Sequence, residues 1–268
     1  MSEITIFLLY LMAAAAFVST RLPRMAANAR PLFVTACIFI AVGISLHSNT
    51  LYGSILIADG INLSIGNTVS MIGLELALIG LISAIDPALR GISAGLLLLG
   101  AIAAPMTGLD GTSASMIAFI WQVRAHVLMA LMSYGLLTVG AIVAIFAMFQ
   151  ERRLQAGKIS TLSNLFAPLE TTEKLLFSIT AAGFTGLALT ILLGLTFVDD
   201  LFAQHLAHKT TFSLLALLVF GTLLAGRFFA GWRGKRAVKL YLGGFLLLCV
   251  AYFGVRVVLE QLLNQSWG

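Results

Sequence analysis

Residues 121–149 read WQVRAHVLMALMSYGLLTVGAIVAIFAMF, and no charged side chain interrupts them after Arg124. A helix rising 1.5 Å per residue needs about 20 residues to cross a hydrocarbon core roughly 30 Å thick. This run meets that length, so it reads as a transmembrane helix over Gln122–Phe149. Trp121 and Arg124 mark one end, and Glu151, Arg152 and Arg153 follow the other.

The rest of the chain repeats the pattern. Of its 268 residues, 60% are hydrophobic and only 10% charged, whereas a soluble domain carries about 25% charged residues. The solvent for most of the chain is therefore lipid. Uncharged runs give eight predicted helices: 4–20, 32–46, 67–85, 92–105, 122–149, 175–197, 210–229 and 237–263. The expected fold is an all-α polytopic bundle, one integral membrane domain over 1–268, with no strand-like or soluble domain. Ser160–Lys174 carries Leu162, Leu165, Phe166 and Leu169 at helical spacing and reads as an interfacial helix. Ser48–Gly66 reads as a short re-entrant or surface segment, and Gly108–Ser115 as a loop.

Basic residues orient the chain, because cytoplasmic loops keep Lys and Arg. With eight spans and both termini extracytoplasmic, the inner side holds Arg21, Arg24, Arg30, Arg90, Arg152, Arg153, Lys158, Lys174, Arg227, Arg233, Lys235, Arg236 and Lys239. Only Arg124, Lys209 and Arg256 of the 16 basic residues remain outside. The net charge of +5 thus belongs to membrane orientation and not to nucleic acid. The first run lacks a basic leader and begins its charges at Glu3, which suits a retained helix better than a cleaved signal. Cys37 and Cys249 lie deep in apolar runs, and no CxxC, HExxH, GxSxG, P-loop or dinucleotide-binding glycine run occurs.

The predicted topology sends all four histidines to the outer face: His47 at the end of the second helix, His126 near the start of the fifth, and His205 and His208 before the seventh. Neutral imidazole is a strong axial ligand for haem iron. His47 and His126, held by helices, are the best-placed pair; the plainer alternative is interfacial histidines satisfied by water or backbone. Trp121 suits either stacking on a porphyrin or anchoring at the bilayer interface. Arg124 and Lys209 suit haem propionates. Glu75 sits within an apolar run, where a carboxyl group is costly and is by default a functional candidate for protons or cations. A structural hydrogen bond is the alternative. Arg256 and Glu260 are four apart and read as an ion pair, and Gly183-Phe-Thr-Gly186 reads as close helix packing.

The stretch from Trp121 through His126 to Ser133-Tyr134-Gly135 resembles the helix opening of the CcsA-type cytochrome c assembly proteins, haem-handling membrane proteins related to CcmC and CcmF. His208-Lys209-Thr210, Phe220-Gly221, Gly226-Arg227, Gly231-Trp232-Arg233-Gly234 and Gly244-Phe245 through Ala251-Tyr252-Phe253-Gly254 resemble the YpjD/HemX-like branch. The resemblance implies an extracytoplasmic haem site flanked by histidines. It matches His126 to the first outer histidine, His47 to a histidine ending the second helix, and Lys209 to the lysine after a tryptophan-rich signature. That signature, WGxxWxWD, is replaced here by residues 197–208, FVDDLFAQHLAH. The histidines of the family pattern late in helix 7 and after the last helix are also absent.

These features lead to a haem-handling inner-membrane protein of cytochrome c biogenesis, accessory and not a ligase, with other assembly components as partners. The cofactor is haem, held by His126 and His47 with Trp121, Arg124, Lys209 and His208 around it. The alternatives are a small-solute or ion transporter using Glu75, and a non-catalytic membrane scaffold or regulator.

Overall fold

The computed structural model describes residues 2–57, 60–62, 64–109, 116–117, 121–156, 168–196 and 207–251. Eight α-helices occur among them: α1 Ser2–Ser19, α2 Ala29–Ile55, α3 Ile65–Ser83, α4 Arg90–Ala103, α5 Trp121–Gln155, α6 Leu169–Gly194, α7 Ala207–Ala230 and α8 Gly234–Cys249. Each predicted helical run overlaps one of them. Six described helical stretches are long and apolar enough to cross a membrane, and Glu3–Ser19 is a shorter apolar helix.

Three expectations need correction. First, α2 runs nine residues beyond Leu46, to Ile55, so His47 lies inside a helix and not at its end. Thr50 and Ser54 permit this extension by donating their hydroxyls to backbone oxygens one turn back, at Leu46 and Thr50, at 3.0 and 3.1 Å. Second, part of the Ser48–Gly66 segment is extended and pairs with Met116–Ile117 within the otherwise helical fold. Leu56–Ile57 (β1), Gly60–Asn62 (β2) and Met116–Ile117 (β3) form a small antiparallel sheet in the order β1-β2-β3, with Leu56 opposite Ile61 and Asn62 opposite Met116. Asn67 ties this sheet to the helices, its amide donating to the backbone oxygens of Ser54 and Asn62, while Ser64 caps α3 by accepting from the Asn67 N–H. Third, Leu169–Lys174 belongs to α6 and not to a separate interfacial helix. An exposed Glu170–Lys174 pair at 3.2 Å lies on its first turns. The remainder of that segment, most of the Gly108–Ser115 loop, His205 and the Arg256–Glu260 pair lie outside the described residues.

The chain divides into two compact units, Met1–Ala118 with Gln150–Leu175, and Phe119–Phe149 with Leu176–Gly268. In the first, α1 packs against α2 and α4, and α3 packs against α4 and α2, which makes a four-helix arrangement. Small residues set the α3–α4 distance: a Cβ on Gly73 would lie 2.8 Å from the Ala103 Cβ, and one on Gly100 would lie 2.9 Å from the Gly73 carbonyl oxygen. Such close approach is how helices associate where lipid removes the hydrophobic drive. Tyr10, Phe17, Ile40, Leu97 and Ala101 fill the core. At one end Arg90 stacks over Phe33 at 4.3 Å, and Arg21 donates to the Pro87 oxygen at 3.1 Å.

The second unit is built by the same rule. Gly183 faces Leu137 and Gly186 faces Ser133, so the Gly-x-x-Gly stretch of α6 does lie against α5. Gly140 leaves room for Tyr241 of α8, whose hydroxyl donates to the Leu137 carbonyl at 2.8 Å in a fully buried setting. A Cβ on Gly140 would overlap that hydroxyl. Gly140→Val is therefore expected to lower stability by about 3 kcal/mol, from overpacking plus a displaced buried hydrogen bond. Thermal denaturation in detergent checks this. Tyr241→Phe placed in a Gly140→Ala background should recover part of that variant's loss, because the clashing atom is gone; strict additivity would show that the overlap is not the cause.

Candidate functional site

Two polar constellations stand out, one in each unit. In the first unit His47 is fully buried on α2. Its Nε2 lies 2.8 Å from the Ser70 hydroxyl on α3, and its Nδ1 lies 3.2 Å from the Tyr10 hydroxyl on α1. Ser70 in turn donates to the Ala104 carbonyl at 3.0 Å. A carbonyl can only accept, so the Ser70 proton is spent there and Ser70 must accept from His47. That makes Nε2 the protonated nitrogen. Nδ1 then accepts from Tyr10, and the chain runs Tyr10 → His47 → Ser70 → Ala104 with every bond directed one way. It joins α1, α2, α3 and the 3₁₀ turn Ala104–Leu109. Both ring nitrogens are engaged, so iron ligation by His47 would require one of these bonds to break. Sequence reading singled out His47 but missed its partners, although Tyr10 and Ser70, polar groups inside apolar runs, were the available signal.

The same unit holds Glu75, 6% exposed on α3. Neither carboxyl oxygen has a hydrogen-bond partner among the described residues.

In the second unit the first turns of α5 carry Trp121, Arg124 and His126. Trp121 is 72% exposed, and Arg124 and His126 are part-buried. The His126 ring lies against the last turns of α6. A Cβ on Gly194 would sit 3.1 Å from its Cε1, and the Thr190 backbone is within its reach. Lys209, in the first turn of α7, is part-buried and lies within electrostatic range of the imidazole. The start of α5, the end of α6 and the start of α7 therefore converge, as an antiparallel run of helices requires. His208 is the residue before Lys209 on α7; its side chain is outside the described part. Among the described residues no group of three or more His, Cys, Asp or Glu could hold a bare metal ion. What converges at this end is one imidazole with two cations near it in sequence or space, a donor set that suits an anionic, iron-bearing planar group better than a free ion.

The fold and the site define a multi-pass helical membrane protein with a polar cluster at one set of helix ends. Residues 7–263 match the Cytochrome C assembly protein family, and the chain belongs to it. It is 33% identical over 139 residues to the inner membrane protein YpjD of Escherichia coli strain K12, which covers 52% of each chain. A 28.8 kDa protein encoded near a nifR3-like gene in Azospirillum brasilense is 30% identical over 147 residues, 54% of each chain. The cytochrome c biogenesis protein CcsA of Trieres chinensis is 26% identical over 171 residues, covering 53% of this chain and 55% of that one. The chain spans about half the length of the curated relatives it matches. No solved structure gives a significant match. The chain is a multi-pass inner-membrane protein of this family.

Proposed function

We propose that this protein binds or relays haem at the extracytoplasmic face during cytochrome c biogenesis, as an accessory to the ligation machinery. The observation that carries this reading is the convergence of the α5 opening on α6 and α7: the His126 ring lies against Gly194, and the Tyr134 and Ser213 hydroxyls stand 3.5 Å apart, one turn along α7 from Lys209. His126 would supply an axial imidazole, and Arg124 and Lys209 would meet the propionates. Trp121, exposed one turn before Arg124, would offer its indole face to the porphyrin edge. Bound haem supplies the iron porphyrin that cytochrome c assembly must deliver. His47 serves in this reading as a structural anchor. The accessory role follows from the missing tryptophan-rich signature between Phe197 and His208. All eight helices cross the bilayer, both termini lie outside, and other assembly components are the partners. Haem titration of the purified full chain tests the proposal: a saturable Soret band is expected, and its absence would refute it. Reporter fusions at Arg152 and at His126 should fall on opposite sides of the membrane.

Glu75 supports a second reading, ion or proton transport, because a buried carboxyl group with no partner among the described residues is costly unless it is used. That reading expects Glu75→Gln to abolish flux in vesicles while the protein stays folded. The haem reading expects Glu75→Gln, which removes none of the groups assigned to haem, to leave the Soret band in place.

A further inference from the structure

We propose that the open groove between α7 and α8 binds one anionic phospholipid, with its phosphate at Arg236 and Lys239 and an acyl chain along the apolar floor. The groove has a volume of about 520 Å³ and is lined by Val219 of α7 and by Arg236, Lys239, Leu240, Gly243 and Leu247 of α8. Arg236, Leu240, Gly243 and Leu247 recur every three or four residues, with Lys239 beside them, and so form one stripe on the helix. From Arg236 to Leu247 the stripe runs ~16 Å at 1.5 Å per residue, about half of the ~30 Å hydrocarbon core, or the depth of one leaflet.

The stripe is polarised. Both cations stand at the N-terminal end of α8, where the helix dipole adds positive charge, and everything beyond them is apolar. Residues 207–251 contain no Asp or Glu, so no carboxylate of either helix competes for these cations. Arg236 is held in place, its guanidinium 3.9 Å above the Trp232 ring. Trp232 is fixed in turn: its ring packs on Gly226, its backbone N–H donates to the Gly226 oxygen at 3.0 Å, and its carbonyl accepts from Arg227 at 3.3 Å. Gly231 and Gly234, at φ +63° and +59°, form the tight turn that brings the ring back over α7. The headgroup end is therefore pre-organised, which reduces the entropy cost of binding. At the other end, Gly243 is exposed, and a Cβ built on it meets nothing within 4 Å. That open floor is the space an acyl chain would fill. Two cations at the head of an open groove, whose apolar floor from Leu240 to Leu247 runs a further ~10 Å at 1.5 Å per residue, complement a single negatively charged lipid.

The test uses the full chain with Trp121 and Trp267 replaced by Phe, so that Trp232, one of three tryptophans, is the sole indole. The protein is reconstituted in phosphatidylcholine vesicles containing equal mole fractions of either dibrominated phosphatidylglycerol or dibrominated phosphatidylcholine. Trp232 emission should show a preference for the brominated anionic lipid on the order of fivefold per cation engaged, the size expected of a basic residue at an anionic membrane surface. Lys239→Gln, which leaves the Arg236–Trp232 stack intact, should cut this preference severalfold. Gly243→Phe should reduce quenching by the anionic lipid by occupying the floor. Equal quenching by the two lipids in the parent protein would overturn the proposal. So would an undiminished preference in Lys239→Gln. Absence of quenching by either lipid would mean that another polypeptide covers the groove, and would overturn it equally.

Discussion

Replacing His126 by alanine is expected to abolish the Soret band that the purified protein acquires on haem loading, and to do so without unfolding the chain. The ring is only part-buried and lies at the opening of α5, so removing it leaves no large internal cavity. It lies against Gly194 of α6, at the helix ends that also carry Arg124 and Lys209. Loss of an outer-shell partner already costs about 10–100-fold in metal affinity, and loss of the ligand itself costs more. Three companion variants separate ligation from mere proximity. Exogenous imidazole should restore the band in His126→Ala by occupying the vacated position. Lys209→Gln and Arg124→Gln should each weaken haem binding by roughly tenfold without removing the band, the scale of one charge-assisted hydrogen bond. Gly194→Val should displace the ring from α6, because even a Cβ there would stand 3.1 Å from Cε1. A Soret band of wild-type intensity in His126→Ala would end the proposal.

The positions of the helices were legible in the sequence because lipid leaves the chain few choices. A backbone in hydrocarbon must satisfy its own hydrogen bonds, so an uncharged run of about 20 residues has to be helical. Helix ends were less legible. Hydropathy stops α2 at Leu46, where His47, Ser48, Asn49 and Thr50 begin, yet the helix continues to Ile55. There the polar residues are absorbed: His47 goes to Tyr10 and Ser70, and Thr50 and Ser54 to the backbone of the preceding turn. The small sheet was missed because its strands are two or three residues long, too short for an alternating pattern to register. The site was legible in part. Sequence put Trp121, Arg124 and His126 on one helix opening, but only tertiary structure brings Lys209 from α7 and Gly194 from α6 to the same end. Histidine identity alone could not distinguish His47 from His126. Their surroundings do: one ring has both nitrogens committed to buried partners, and the other lies part-buried among helix ends.

That contrast sets the second large effect. His47→Ala is expected to lower stability by at least about 3 kcal/mol, more than either neighbour's variant. Truncation in a close-packed interior leaves a cavity worth roughly 2–4 kcal/mol. It also breaks two interhelical hydrogen bonds, each worth about 0.6–1.7 kcal/mol inside a membrane. Tyr10→Phe keeps the ring and removes only the donor to Nδ1, so about 1 kcal/mol is expected. Ser70→Ala leaves the Nε2 proton without its acceptor and frees the Ala104 carbonyl, so its cost should exceed that of Tyr10→Phe. Because the imidazole transmits the bond polarity from one hydroxyl to the other, Tyr10→Phe and Ser70→Ala should couple in a double-mutant cycle, and the coupling should vanish once His47 is alanine. Thermal midpoints of the detergent-solubilised full chain measure all of these. A wild-type midpoint in His47→Ala would show that the chain of hydrogen bonds holds nothing together. Haem titration of the same proteins decides between anchor and ligand. Whatever fraction of His47→Ala folds should retain its Soret band, as should Tyr10→Phe and Ser70→Ala. A band lost only in folded His47→Ala would make His47 an iron ligand, since the neighbouring variants disturb the same hydrogen bonds while leaving the imidazole in place.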